Sequence, residues 1–345
     1  MLLKNCYKKV LTGFLFFISL FIVSISCDST EPTDELKPGR RDYTWTVDTL
    51  KPPEGRSLPS RMWGASANDV WTVGLSYLNA YCIWHFDGQR WTNYTPDKYI
   101  DPRGIWGTAS NNIWIGSTDG AFWHYDGLKW NRISEITIPN YQQFIVQSLC
   151  GRSANDIYAV GYADSIDGNS YKGIIMHYNG VKWDLVNIPV LKQSYKQIFF
   201  DSITGNFIIS SWIFNQPDEY IYSFDGSKLN LIYSSTEGIE LSNIGKDVIA
   251  IVNGSKIYKI GPNTIELFKN FSSTNFARYA FGRNDLDILT SNYDGIGHYN
   301  GTDLVTIYPK WNIELDRYGS IVFEKDFFYI WDDSYNTFII HGKLN

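Results

Sequence analysis

The sequence predicts an all-β fold made from one repeated unit, and three observations carry that prediction. Aromatic residues make up 17% of the 345 positions and charged residues only 19%, with 28 glycines, 13 tryptophans and 24 tyrosines. Such a balance favours strands and tight turns over helices. One motif recurs along the chain with a period of about 43 residues, inside the range of radial β repeats. Asp-Gly or Asn-Gly pairs punctuate that motif at a fixed place, as hairpin turns do. The same composition excludes a disordered chain, which needs low hydrophobicity and high charge. A net charge of −6 leaves no basic footprint for nucleic acid.

The first segment reads as an address. Lys4, Lys8 and Lys9 precede Val10 to Ile25, an uncharged, largely apolar run of 16 residues. A spanning helix needs about 20, so a signal peptide fits better. Ser24-Ile25-Ser26 then leads directly into Cys27. This resembles a bacterial lipoprotein signal, in which the cysteine after a small residue is lipidated and becomes the N-terminus; Ser24 stands where Leu is usual. The bare residues also fit an ordinary secretory signal or an uncleaved anchor. The next stretch, DSTEPTDELKPGRRD, is polar and acidic with two prolines and reads as a flexible tether. An acidic stretch at that place resembles a surface-export signal of the Bacteroidota type. The expected organisation is a signal peptide over 1–26, a lipidated cysteine and tether over 27–42, and the repeated domain over 43–345. Losing the signal removes three lysines and no acid, taking the net charge from −6 to −9. Cys82 and Cys150 fall in different repeats at apolar strand positions. They are expected as two buried thiols, and no cysteine spacing suggests a metal site.

Three segments share one frame: RMWGASANDVWTVG…IWHFDGQRW (61–91), GIWGTASNNIWIG…FWHYDGLKW (104–130) and SLCGRSANDIYAVG…IMHYNGVKW (148–183). Eroded copies follow at 197–229, 242–265, 279–304 and 320–342. Each predicts four strands, a to d. Strand a carries an anchor: Trp63, Trp106, Cys150, Phe200, Ile244, Phe281 and Phe323. Strand b follows the Asn-Asp turn, as in Val70-Trp71-Thr72-Val73. Strand c runs into Asp87-Gly88, Asp126-Gly127 or Asn179-Gly180, where Asp and Asn before Gly accept the positive φ of a hairpin turn. Strand d begins at Trp91, Trp130, Trp183, Leu229, Ile265 and Leu304. The seventh copy lacks a strand d, because the sequence stops at Asn345. Tyr43-Thr44-Trp45-Thr46-Val47 has the strand-d pattern ahead of the first copy and is expected to complete the last sheet. The prediction is a seven-bladed β-propeller with four-stranded blades, closed by its N-terminal strand.

The repeat resembles the WG-x-S-x-N-D-V-W-A-V-G…H-x-D-G-x-x-W propellers of exported bacterial proteins, over about 300 residues. That family largely lacks assigned functions, so the resemblance implies a fold and no activity. Asp-box, WD and Kelch signatures are absent.

Function must come from residues outside the frame. His85, His124, His177 and His298 share one repeat position. In a propeller they are spread round the ring and cannot hold one ion, so a repeated structural hydrogen bond is expected; no metal or cofactor is expected. Trp63, Trp106, Trp91, Trp130 and Trp183 recur in register and read as packing between blades. Asp69, Asp156 and Asp287 recur before strand b and read as turn caps. Acid pairs such as Asp218-Glu219 and Asp332-Asp333 read as solvated loop charge. Arg61, Arg103 and Arg278 precede strand a in three copies and are expected at the channel mouth, where they would favour an anionic group. The b–c gaps are long in the third copy (162–172) and the fourth (212–219), and the connections 134–146 and 308–318 are long too. They carry aromatics that a structural ring does not need. The expected ligand-binding residues are therefore Arg61, Arg103, Tyr141, Trp212, Arg278 and Tyr318, with lipidation at Cys27. The expected function is a non-enzymatic binding module for a protein or glycan, a monomer anchored to the outer membrane by its lipid. The alternatives are a carbohydrate-active enzyme using loop carboxylates, or a structural subunit of an envelope complex.

Overall fold

The structure, a computed structural model, describes residues 36–77, 80–168, 170–309, 319–333 and 336–345. Cys27 and Tyr318 lie outside the described residues. Within them the chain forms 28 β-strands and no helix. The first strand, β1 (Tyr43–Leu50), stands apart from those that follow it. Then come β2 (Ser57–Ser66), β3 (Asp69–Ser76), β4 (Ile83–Phe86) and β5 (Trp91–Asn93) as a first group. The second is β6 (Pro102–Ala109), β7 (Asn112–Ser117), β8 (Ala121–Tyr125) and β9 (Trp130–Glu135). The third is β10 (Tyr141–Ser153), β11 (Asp156–Ser165), β12 (Tyr171–Tyr178) and β13 (Trp183–Leu185). The fourth is β14 (Ser194–Asp201), β15 (Asn206–Trp212), β16 (Glu219–Phe224) and β17 (Leu229–Ser235). The fifth is β18 (Ile239–Ile244), β19 (Asp247–Val252), β20 (Lys256–Ile260) and β21 (Ile265–Asn270). The sixth is β22 (Phe276–Asn284), β23 (Asp287–Asn292), β24 (Gly295–Tyr299) and β25 (Leu304–Pro309). Last come β26 (Ser320–Val322), β27 (Asp326–Asp332) and β28 (Thr337–Leu344).

Each group is an antiparallel meander, and one parallel bridge, Ile244 to Gly282, joins the fifth to the sixth. β1 does not pair with its sequence neighbour. It adds to β28, in register from Tyr43 opposite Leu344 to Leu50 opposite Thr337. The first strands of successive groups touch in chain order, and β26 touches β2. All six expected starts of strand d coincide with the starts of β5, β9, β13, β17, β21 and β25.

The repeated residues interlock the groups. A Cβ added to Gly107 would sit 2.9 Å from the Trp63 indole, one added to Gly151 2.7 Å from Trp106, and one added to Gly64 3.0 Å from Phe323. In the Trp-Gly pair, then, the aromatic of one group lies on the glycine of the next, and Phe323 carries the pattern from the last group to the first. Further out, Trp71 meets Tyr125 and Trp130 of the second group at 4.9 and 5.7 Å between ring centroids. Trp114 meets Tyr178 and Trp183 of the third at 4.6 and 5.7 Å. Phe328 meets Phe86 and Trp91 of the first at 5.5 and 6.3 Å. Such pairs contribute about 0.5–1.5 kcal/mol each beyond area burial.

A polar pair repeats as well. His85 bonds Asp69 (2.8 Å), His124 Asn112 (2.7 Å), His177 Asp156 (2.8 Å), His298 Asp287 (2.9 Å) and His341 Asp326 (2.7 Å). The fourth group places Asn206 and Ser223 there (3.0 Å), and the fifth Asp247 and Lys259 (2.9 Å). Burial alone would raise the Asp69 and Asp287 carboxyls, but hydrogen bonds from His85 and His298 hold both below the usual carboxylate range. The expected repeated hydrogen bond is thus present, with His341 as a fifth case. Asp69, Asp156 and Asp287 are its acceptors rather than turn caps.

Three local expectations change. In the c–d turns the glycine alone takes positive φ, at +89° for Gly88 and +91° for Gly127. The preceding Asp87 and Asp126 instead accept from the amides two and three residues on. The long third-copy gap is mostly strand, because β11 and β12 extend to leave only residues 166–170 between them. Residues 36–42 of the supposed tether lie against the sixth group. The Gly39 amide donates to Leu286 O at 2.7 Å, and Arg41 bonds Asp303 Oδ1 at 2.8 Å. Cys82 and Cys150 are free thiols, both pushed up to about 12 by burial.

Gly151→Ala should cost about 1–3 kcal/mol, because its methyl meets the Trp106 ring and the Asp156 carbonyl together. Denaturant unfolding checks this. Wild-type stability in Gly151→Ala would contradict the interlock.

Candidate functional site

The site is made by bulges at the start of the first strands. Pairing slips between Pro59 and Arg61, Pro102 and Gly104, Val146 and Ser148, Tyr195 and Gln197, and Phe276 and Ala280. A bulge leaves an extra residue unpaired and re-aims its side chain. The skipped residues include Arg103, Gln147, Lys196 and Arg278. Gly74, Gly116 and Gly161 face three of these slips from the second strands, and none has room for a Cβ. The glycine that ends strand b therefore lets the bulged strand approach.

Gln147, Lys196 and Arg278 open with Arg61 onto a cavity of about 630 Å³. Trp212, Glu219, Glu240, Asn253 and Tyr293 complete the working part of its wall. A channel of about 400 Å³, lined by Trp63, Trp106, Leu149, Ile198, Phe281 and Tyr329 among others, shares Arg61 with the cavity. The cavity is thus the mouth of the channel, on the face where second strands end and first strands begin.

Its electrostatics centre on Lys196. The ammonium bonds Glu240 Oε1 at 2.6 Å and Ile239 O at 2.9 Å, with Glu219 Oε2 at 3.8 Å. Glu219 also accepts from the Ile239 amide at 2.9 Å. Burial pushes the Glu219 carboxyl above its usual range; Lys196 and the Ile239 amide pull it down, and Glu240 pushes it up. An aromatic ledge adjoins this wall. Trp212 packs on Phe214 (4.9 Å), and Phe214 on Tyr171 (4.5 Å) and Tyr162 (5.1 Å). The Tyr171 hydroxyl accepts from the Phe214 amide at 2.8 Å.

Of the expected residues, Arg61, Trp212 and Arg278 come together in the cavity. All three arginines lie within their first strands rather than ahead of them. Arg103 does not line the cavity; it stands 3.9 Å from Asp101 and near the Tyr162 hydroxyl. Tyr141 does not line it either, and carries the Lys172 ammonium over its ring at 4.3 Å. Lys196, Glu240 and Tyr293 join the site without having been expected there. A polar residue three or four places before the anchor could have signalled Lys196, as Arg103, Gln147 and Arg278 do. Glu219 and Asp332 are not solvated charges: the Glu219 side chain is 16% exposed and Asp332 is buried. Among the described residues no three His, Cys, Asp or Glu side chains gather as a metal ion would need.

No family model matches the sequence, and no curated protein does. Solved structures do match in fold. YCF48 bound to D1 peptide aligns with a TM-score of 0.58 and 14% identity, over 90% of this chain and 100% of that one. Catalytically inactive virginiamycin B lyase from Staphylococcus aureus, with quinupristin, aligns at 0.60 and 14%, over 88% and 100%. The Neurospora crassa Pan2 WD40 domain aligns at 0.56 and 11%, over 90% and 98%. At these identities the likeness shows the fold: the chain is a β-propeller.

Proposed function

We propose that the chain is a seven-bladed propeller acting as an interaction module, with a segment of a protein partner docking at the channel mouth. Seven four-stranded groups whose first strands touch in sequence support the blade count. One observation carries the functional reading, the uneven distribution of exposed aromatics. Tyr77 (71%), Tyr99 (54%), Trp212 (36%) and Tyr293 (71%) are exposed on the mouth face. The turns of the opposite face expose aliphatics, at Leu128, Val181 and Ile203. Tyr and Trp anchor protein interfaces because they offer large contact area with a polar tip. YCF48, which shares the fold, is bound to a peptide in its structure. An enzyme would need both Glu219 and Glu240 for acid and base, but Glu240 is tied to Lys196 at 2.6 Å, with Glu219 3.8 Å from the same ammonium, which favours binding over hydrolysis.

In the same proposal Cys27 is lipidated and the module is a monomer held at the outer membrane, exposed at the surface. Residues 36–42 run beside Leu286 and Asp303, in the a–b and c–d turns opposite the mouth. A chain tethered there would turn its mouth away from the membrane. Cys27→Ser should abolish palmitate incorporation and release the protein from the membrane fraction. Unchanged labelling and fractionation would remove this part of the proposal.

A photo-crosslinking residue at Tyr293 should give a protein adduct in cells, whereas one at Leu128 should not. Trp212→Ala should reduce the Tyr293 adduct while shifting unfolding by less than about 1 kcal/mol. Adducts from Leu128 alone would place docking on the other face, and a glycan adduct at Tyr293 would replace the protein partner. Arg152 and Arg283 of that other face are engaged within the chain. Arg152 pairs Asp156 at 2.6 Å, and Arg283 bonds Phe323 O and the Tyr43 hydroxyl.

A further inference from the structure

The wall of the mouth made by β15, β16 and β18 carries more negative charge than it neutralises. Lys196 is the one ammonium bonded there among the described residues, and it serves two carboxylates. The Glu240 and Glu219 side chains are only 12% and 16% exposed, so water screens the surplus charge poorly. Glu219 uses one oxygen for the Ile239 amide. Its other oxygen, Oε1, lies beside Gly238, which lines the cavity and has no side chain to cover it. Trp212 is the cross-strand partner of Glu219, so its indole stands on the same face of the sheet. A dry carboxylate next to an accessible indole is the chemistry that recognises a cation, through a charge-assisted hydrogen bond and a cation–π contact. The chain makes the second contact within itself, with Lys172 over Tyr141. Arg61 and Arg278 share the cavity but rise from β2 and β22, and neither is a free cation. The rim beside this wall is low, because the β19–β20 turn is only Asn253, Gly254 and Ser255.

We infer that Trp212, Glu219 and Glu240 form a subsite for a cationic side chain, lysine or arginine, on the segment that docks at the mouth. This rests on the docking reading above and specifies its chemistry. The side chain enters over Gly254, lays its stem along Trp212 and brings its charged head to Glu219 Oε1. Lys196 keeps Glu240 in place and leaves Glu219 as the acceptor.

Four capped tripeptides with lysine, arginine, norleucine or glutamate between two glycines test this by calorimetric or NMR titration of the full chain. The basic peptides should bind at least about tenfold more tightly than the other two. Glu219→Gln keeps an acceptor for the Ile239 amide and removes the charge, so it should cancel that preference without changing the unfolding midpoint. Trp212→Ala should weaken both basic peptides by a similar factor. Equal binding of the norleucine peptide, binding of none of the four, or a preference that survives Glu219→Gln would overturn the subsite. The two proposals fail separately. A partner that still cross-links at Tyr293 in Glu219→Gln with wild-type yield ends the subsite and leaves docking intact, whereas absence of mouth adducts in wild type ends docking itself.

Discussion

The fold depends on each sheet packing its anchor face onto the next, and at three seams that contact is an aromatic side chain lying on a glycine of the neighbouring sheet. A four-stranded meander has two apolar faces and cannot bury either alone. Trp63 on Gly107 and Trp106 on Gly151 bring neighbouring inner strands close enough to share a core, and the missing Cβ is what permits the approach. Phe323 on Gly64 repeats the contact where the chain's two ends meet. β1 pairs with β28 and gives the last sheet its full width, and Phe328 of that sheet packs on Phe86 and Trp91 of the first. Ring closure is therefore bonded as well as packed.

A second feature of the inner strands shapes the mouth. Five of the inner strands carry a bulge near their starts. At three of these bulges the freed side chain opens onto the cavity, whereas Arg103, freed in the second group, turns to Asp101 instead. In the third, fourth and sixth groups the freed side chain is Gln147, Lys196 or Arg278. The fifth group shows no slip: Glu240 pairs in register with Ile251 and supplies the carboxylate that holds Lys196.

How much of this is legible in the sequence depends on repetition. The frame is visible because the same physical demand recurs in every copy, so Trp-Gly, Asn-Asp and Asp-Gly mark strand boundaries even where the core residue has drifted to Cys150 or Ile244. The missing strand at one end and the spare strand at the other predict β1 beside β28. The site resists such reading because its residues do not repeat. Lys196 and Glu240 meet only through the packing of β14 against β18, 44 positions apart. Glu219 looks like loop charge until the hairpin places it behind Trp212 and out of water. Tyr141 misleads for the opposite reason: a long connection suggests an open loop, yet β9 and β10 extend through most of it, and Lys172 settles over the Tyr141 ring. Arg103 misleads because it shares a place before the anchor with Arg278 but turns to Asp101.

If closure is what organises the ring, its loss must be felt everywhere. Native-state hydrogen exchange on the intact chain and on one lacking residues 43–50 measures this directly. The account predicts that removing β1 lowers amide protection in every sheet together, including β10 and β11 in the third group, far from the break in chain order. Loss of protection confined to β26, β27 and β28, with the other sheets unchanged, would contradict it.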